Sequence, residues 1–480
     1  MYNIKISDSS NAIIRKTVVL TFSIVTTALF FYLNKVQPNY YIDEIFHIPQ
    51  TLKFCKGNFH EWDQKITTFP GLYLISIAVL APFNLCTITF LRGVNLVATS
   101  CNFYVIYELI KLLNENRGNN KKGKKIDQKN KWTILLTSLN IALLPPLYFL
   151  LFLYYTDVVS TNVVLLMYLF YLRNNFKTSA LIGVLAVLVR QTNIVWVAWL
   201  SIERAMDIIE NKNPERKHKT KQVVIVPSLL NVYLFSQLLW DNTKEELNRG
   251  RLFKFVSEIL GALFPYIIIG LGFLLFVILN KGIVLGDRTA HVATVHVPQI
   301  FYYSVFVSFF SWPYFIPYII DYLKIVKNRP ILAILAFTIM GTIVHYNTLV
   351  HPYLLADNRH YTFYVWNKVI GRYHLAKYVI VPVYGFCLYS IWRGVNHLRF
   401  FSIIGYFLSL FIVLVPQLLL EPRYFFIPYI IFRVNMRNTK PWQIIAEFFF
   451  TLLVNVFQFY IFSNKVFYWD DDVHPQRISW

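Results

Sequence analysis

The sequence has little charge, and least of all negative charge. Asp, Glu, Lys and Arg make up 15% of its 480 residues, where a soluble domain carries about 25%. Acidic residues number 25 against 46 Lys and Arg. The mean hydropathy is +0.47, and apolar runs recur along the whole length. This excludes a soluble protein with one anchor. The short alternating segments that build outer-membrane barrels are missing. Cysteine is scarce: Cys55, Cys86, Cys101 and Cys387 form no CxxC and no metal-spaced pair. They are expected as isolated thiols, with only Cys55 outside the apolar runs. Met1 to Ser10 is polar, and Ile13 to Leu33 is too long for a cleaved leader, so the first run reads as a signal anchor. No HExxH motif or His/Cys cluster marks a metal site, and no metal cofactor is expected. His351 and Asp357 stand one residue too far apart for an acyltransferase HxxxxD motif. Val284 replaces a glycine of the GxGD motif of intramembrane aspartyl proteases. No internal repeat is visible, which argues against a repeat-built transporter.

What is present is positive charge in short blocks between apolar runs. A net charge of +21 would point to nucleic acid in a soluble protein. Here the blocks follow the rule that Lys and Arg stay on the cytosolic side, with attraction to anionic lipids. Nucleic acid is not an expected partner; the bilayer is. Lys5, Arg15 and Lys16 precede the first span, about residues 15–34, which places the N-terminus in the cytosol and residues 37–70 in the lumen. The basic block from Arg117 to Lys131 must then be cytosolic. Only one full span, about 90–113, can precede it, so 71–84 is expected as a re-entrant or surface helix. The run over 179–202 poses the same problem before the block Arg204 to Lys221. Two half-helices broken at Arg190-Gln191-Thr192-Asn193 solve it and leave Arg190 at membrane depth, where a cation marks a functional site.

Further spans are expected near 132–153, 158–172, 259–280, 298–321, 331–349, 375–392, 400–418 and 442–463. Residues 223–240 read as a hairpin or partial span. A short apolar return after Glu421 runs to Arg433, Arg437 and Lys440, taken as cytosolic. The fold class is an all-α polytopic membrane protein with about 11–14 membrane helices and luminal surface helices after the first span. It forms one integral membrane domain over 1–480, with a first luminal loop at 35–84 and a second at 351–373.

In this topology the polar residues gather on the luminal side: Asp43-Glu44, Asp157, Asp287-Arg288, Asp357-Asn358-Arg359-His360 and Glu421-Pro422-Arg423-Tyr424. Asp43 and Glu44 point about 100° apart on a helix, so one can face a site while the other caps or pairs. The same acidic pair also fits a plain helix start. His47 is an orienting partner or a satisfied surface histidine. Arg190 suits a phosphate, being permanently charged and forked, or an internal ion pair with Asp157. Asp357 to His360, flanked by Tyr353, Tyr361, Tyr364 and Trp366, suits sugar recognition or a solvated loop.

Several blocks carry a resemblance. They are Tyr41-Ile42-Asp43-Glu44-Ile45-Phe46-His47-Ile48-Pro49-Gln50, Trp62-Asp63 with Ile66 to Tyr73, Arg190-Gln191-Thr192-Asn193, Gly286-Asp287-Arg288, Leu354 to Trp366, and Glu421-Pro422-Arg423-Tyr424-Phe425. Together they resemble the endoplasmic reticulum α-1,2-glucosyltransferases of the N-glycan pathway, through nearly the whole chain except 223–258. The resemblance implies a GT-C fold. It implies transfer of glucose from dolichyl phosphate glucose to Glc2Man9GlcNAc2 on dolichyl diphosphate, giving Glc3Man9GlcNAc2. A β-linked donor and an α-linked product imply inversion, with one carboxylate base and no covalent intermediate. Asp43 or Glu44 is then the base, with Asp43 preferred. Arg190 is the first candidate for the donor phosphate, with Arg359 and Arg423 behind it. His47, Trp62, Asp157, Asp287, Arg288, Asp357, Asn358, His360, Tyr361 and Tyr424 are expected at the substrates. Alternatives are a GT-C enzyme using dolichyl phosphate mannose, or a transporter gated at Arg190.

Overall fold

Prolines mark the breaks in two of the apolar runs, while Pro265 sits inside an unbroken helix. The computed structural model describes residues 2–118, 128–211, 229–288, 293–437, 439–470 and 472–480. Among these, six helices are long and apolar enough to cross a membrane: Ile13–Val36, Ile88–Glu115, Leu252–Asn280, Pro330–Asn347, Ala376–Val395 and Pro441–Asn464. Four shorter apolar helices join them: Gly71–Phe83, Thr156–Leu172, Phe176–Val189 and Phe400–Leu414. The protein is a helical, polytopic membrane protein.

Two expected spans are broken instead. The run over 132–153 divides into Gln128–Ala142 and Pro145–Leu150. Leu144, forced out of helical geometry by the proline that follows, sits between them at φ −49°, ψ 112°. The run over 298–321 divides at Ser311 and Pro317 into Pro298–Phe310, Trp312–Phe315 and Tyr318–Asn328. The expected break at Arg190 is present. Phe176–Val189 ends there, a 3-10 turn covers Gln191–Asn193, and Ile194–Asn211 follows. Of the uncertain 223–258 region, 223–228 lies outside the described residues, and Leu229–Asn248 is one helix.

The helix Ile88–Gly118 is one of the longest in the fold. Its 31 residues extend about 46 Å, with Arg92 beside Glu44 one turn from the start and the basic block beginning at the far end. Arg433, expected in a cytosolic loop, is instead 1% exposed. It forks Glu447 at 2.7 Å, and Glu447 also accepts from Asn140 and Tyr314. A buried cation persists only with such partners. This network ties Phe426–Asn435 to Pro441–Asn464. The Pro441–Asn464 helix is followed by an unforeseen element, a two-stranded antiparallel hairpin of β1 (Val466–Trp469) and β2 (Asp472–Arg477).

Gly71 and Gly286 lock the first loop in place. A Cβ on Gly71 would lie 2.4 Å from the Leu188 carbonyl oxygen, so only glycine lets the short Gly71–Leu80 helix meet Phe176–Val189. Gly286 has φ +62°, and a Cβ there would lie 2.2 Å from the Gln64 carbonyl oxygen. The Asp287 amide donates to that same oxygen at 2.6 Å.

Candidate active site

The turn before the Glu44–Cys55 helix is held from beneath by one arginine. Arg92, 1% exposed, uses all five of its N–H donors. Nε and Nη2 fork Glu44 at 2.8 and 2.6 Å. Nη1 reaches Asn34 Oδ1 at 3.0 Å and the Gln37 carbonyl at 2.7 Å. Nη2 also reaches the Asn39 carbonyl at 2.9 Å. Glu44 in turn accepts the Tyr41 amide at 3.0 Å and the Tyr154 amide at 2.6 Å. Its two oxygens thus take four hydrogen bonds, and the residue is 0% exposed. It cannot reach a ligand.

Asp43 faces the other way. The turn places Ile42 in the left-handed region at φ 49°, a costly conformation for a β-branched residue. The Asp43 side chain, 31% exposed, is paired at 2.6 Å with Arg423. Its amide donates to Tyr155 Oη at 3.1 Å. Burial pushes the Asp43 carboxyl up, but the positive groups around it, Arg423 foremost, together hold it below the usual carboxylate range. Arg423 also forks Glu421 through Nε and Nη2, both at 2.8 Å. Burial pulls the His47 imidazole below its usual range, so it is neutral at pH 7. It is buried rather than on the surface, with Nδ1 2.6 Å from Tyr73 Oη.

These groups open into one cavity of about 570 Å³, a size suited to a small ligand. It collects Asp43, His47, Arg190, Asp287, Asp357, Arg359, His360, Arg423 and Tyr424 from the expected residues. Leu150, Leu153, Leu419 and Leu420 give it an apolar flank. Arg359 forks Asp357 at 2.9 and 2.7 Å and lies 4.6 Å from the centre of the Trp469 ring. His360 Nδ1 is 2.9 Å from the Trp480 carbonyl oxygen. Arg190 pairs with Asp157 through one Nη and lines the cavity. Asp157 itself is 2% exposed behind Arg190 and does not line the cavity.

Other expected residues stand outside the cavity wall. Trp62 packs on Phe54 and Tyr73 and donates to the Ile66 carbonyl. Arg288 turns back to the carbonyls of Asn280 and Lys281. Asn358 accepts the Trp469 Nε1–H at 3.1 Å. Tyr361 packs against Trp480 with ring centres 5.0 Å apart.

Sequence reasoning passed over Lys65, Tyr155, Trp469 and Trp480 in the wall, and Arg92 beneath it. Arg92 had a signal: a lone cation near the start of an apolar run asks for an internal partner. The cysteine reading is corrected too. Cys55 and Cys86 form a disulfide that ties the end of the Asp43-bearing segment to the loop before Ile88. A spacing of 31 residues carries no motif, so only proximity reveals it. Among the described residues no group of three or more His, Cys, Asp or Glu side chains is placed to hold a metal. A second cavity of about 440 Å³, around Glu203, Asp207 and Arg399, contains none of the expected residues.

Fold and site together define a polytopic membrane protein whose helices enclose a polar cavity of ion-paired carboxylates and arginines beside an apolar flank. Comparison with known proteins narrows this. Residues 37–434 match the DIE2/ALG10 family. A Drosophila melanogaster protein is 38% identical over 443 residues, covering 92% of this chain and 94% of its own. A human protein is 37% identical over 473 residues, covering 95% and 96%. An Arabidopsis thaliana protein is 32% identical over 504 residues, covering 93% and 96%. All three are named Dol-P-Glc:Glc(2)Man(9)GlcNAc(2)-PP-Dol alpha-1,2-glucosyltransferase. No solved structure matches. The chain belongs to the DIE2/ALG10 family.

Proposed function

We propose that this protein is an inverting α-1,2-glucosyltransferase of GT-C architecture. It moves glucose from dolichyl phosphate glucose to the Glc2Man9GlcNAc2 glycan on dolichyl diphosphate, in the endoplasmic reticulum membrane. Its place in the family and its similarity to relatives of that name support the reaction. The observation that carries the mechanism is the divergence of two neighbouring carboxylates: Glu44 saturated and buried, Asp43 open to the cavity.

Asp43 is the base. The acceptor hydroxyl attacks the anomeric carbon as the bond from that carbon to the phosphate oxygen breaks. The hydroxyl proton passes to Asp43, and the bonding pair leaves with dolichyl phosphate. The attacked hydroxyl grows acidic as its new bond forms, so a carboxylate kept ionised by Arg423 suffices. Arg190 steadies the departing phosphate, because Arg359 and Arg423 spend their forks on Asp357 and on Glu421 and Asp43. Glu44 is a positioning residue. Leu150, Leu153, Leu419 and Leu420 suit the isoprenoid of the donor.

The site faces the lumen and the N-terminus the cytosol. The disulfide on the Asp43 side supports this, since disulfides persist in the oxidising lumen. No metal takes part, and a chelator is expected to leave turnover unchanged. The test is purified protein in detergent with the diglucosylated lipid-linked acceptor and either dolichyl phosphate glucose or dolichyl phosphate mannose. Transfer from the glucose donor is expected; transfer from mannose alone would refute the reading.

A further inference from the structure

The loop after the span Pro330–Asn347 has an outer face that the cavity does not use. Asp357, Arg359, His360 and Thr362 stand in the cavity wall. Helical turns follow over Tyr361–Val365 and Trp366–Ile370, and the next span, Ala376–Val395, begins soon after. Tyr364 and Trp366, which suit sugar recognition by their place in the sequence, do not line the cavity. Trp366 is buried and anchors the turn, while Val365, Val369, Tyr373, Leu375 and Val379 are between 49% and 74% exposed. Lys368 and Arg372 are exposed among them. Val365 and Val369 are four residues apart, as are Lys368 and Arg372, so apolar and cationic side chains lie side by side on the outer face.

This positive charge is uncompensated. No Asp or Glu occurs from Asn358 to Leu420. Lys368, Arg372 and Lys377 lie over tyrosine rings, those of Tyr364 at 5.5 Å, Tyr373 at 5.7 Å and Tyr378 at 5.1 Å. None of the three has a carboxylate partner among the described residues. The arginines of the cavity wall are the opposite case: Arg190, Arg359 and Arg423 are all ion-paired.

The depth of the segment follows from its neighbours. It connects two membrane spans. Tyr378 Oη is 2.6 Å from His345 Nδ1, close to the end of Pro330–Asn347. The segment therefore lies level with the end of a span, where lipid headgroups are and where tyrosine is enriched. Large apolar side chains with cations between them suit that boundary. The apolar groups enter the acyl region, and the long cationic side chains reach back to the phosphates.

We propose that residues 361–379 lie on the bilayer surface, with Val365, Val369 and Leu375 at the acyl boundary and Lys368 and Arg372 on the phosphates of anionic phospholipids. The bilayer then braces the cavity wall from outside, whichever sugar the cavity transfers. The test uses the full chain in lipid nanodiscs. Cys101→Ser removes the exposed thiol; Cys387 is buried, and Cys55 and Cys86 are joined. Val365→Cys, Val369→Cys and Leu375→Cys, each on that background, then carry an environment-sensitive fluorophore, with Ile334→Cys in the span as the bilayer reference. Quenching by a shallow spin-labelled phosphatidylcholine, with protection from aqueous iodide, is expected at all three positions. Quenching by iodide and not by the lipid at Val365 or Val369 overturns the proposal. The phosphate contact is read by crosslinking to phosphatidylserine with a photoreactive headgroup. Adducts mapped to residues 361–379 should fall about 5-fold for each cation removed in Lys368→Gln and Arg372→Gln, with adducts elsewhere on the protein unchanged. Unchanged adducts in the double variant overturn the proposal. So does crosslinking that a polyprenyl diphosphate suppresses and excess phosphatidylserine does not, which would assign the segment to a lipid-linked diphosphate.

Discussion

Asp43→Asn and Glu44→Gln should fail in opposite ways. Glu44 takes four hydrogen bonds, two from Arg92 and two from the amides of Tyr41 and Tyr154. Glutamine keeps one acceptor oxygen and turns an NH2 toward two donors. At least two charge-assisted bonds are lost, each worth about 1.5–3 kcal/mol, so the cost is about 3–6 kcal/mol. Breaking other buried ion pairs costs a similar ~3–5 kcal/mol, a large share of the ~5–15 kcal/mol that holds a typical domain together. Asp43→Asn gives up one partner of an arginine that Glu421 still holds, a loss of about 1–2 kcal/mol. Its turnover, however, loses the base, a factor of about 10²–10⁴. Thermal unfolding in detergent and labelled-glucose transfer read the two effects separately. Asp43→Asn is expected to be stable and nearly inactive, and Glu44→Gln unstable with residual turnover wherever it stays folded. An active Asp43→Asn, or an inactive Glu44→Gln with wild-type stability, would refute the assignment.

Other outcomes follow from the same geometry. Arg190→Gln should lower kcat by about 10²-fold or more, as removal of a preorganised charge does, with little change in acceptor KM. A wild-type acceptor KM with unchanged kcat would place the phosphate elsewhere. Because Asp43 titrates below the usual carboxylate range, its activity persists as pH falls through that range and is lost only below it. Arg423→Gln leaves burial as the dominant influence, which raises the Asp43 pKa. The acid limb of the kcat/KM profile should then move to higher pH; a shift to lower pH would be incompatible with the pairing. The 31-residue separation of Cys55 and Cys86 predicts that Cys55→Ser costs about 3–4 kcal/mol, seen as a lower unfolding temperature.

Some of this was legible from composition and periodicity alone. The membrane class follows from hydropathy, and the break at Arg190 follows from a basic block that had to stay on one side. Local properties of the chain carry both. The clustering of Asp43, Asp287, Arg359 and Arg423 was also readable, as a charge bias repeated at alternate loops. The spans over 132–153 and 298–321 were misjudged because hydropathy averages over the prolines that break them. Only the tertiary structure separates the surroundings of Asp43 from those of Glu44, one lining the cavity and the other buried. Glu44 is claimed by Arg92 and Tyr154, 48 and 110 residues away, and Asp43 by Arg423, 380 residues away. It alone joined Cys55 to Cys86 and brought Ser479 to Tyr41, 438 residues apart. Neighbours in sequence share composition and hydropathy, but a side chain's role depends on which distant groups satisfy it, and only packing brings those within hydrogen-bond range.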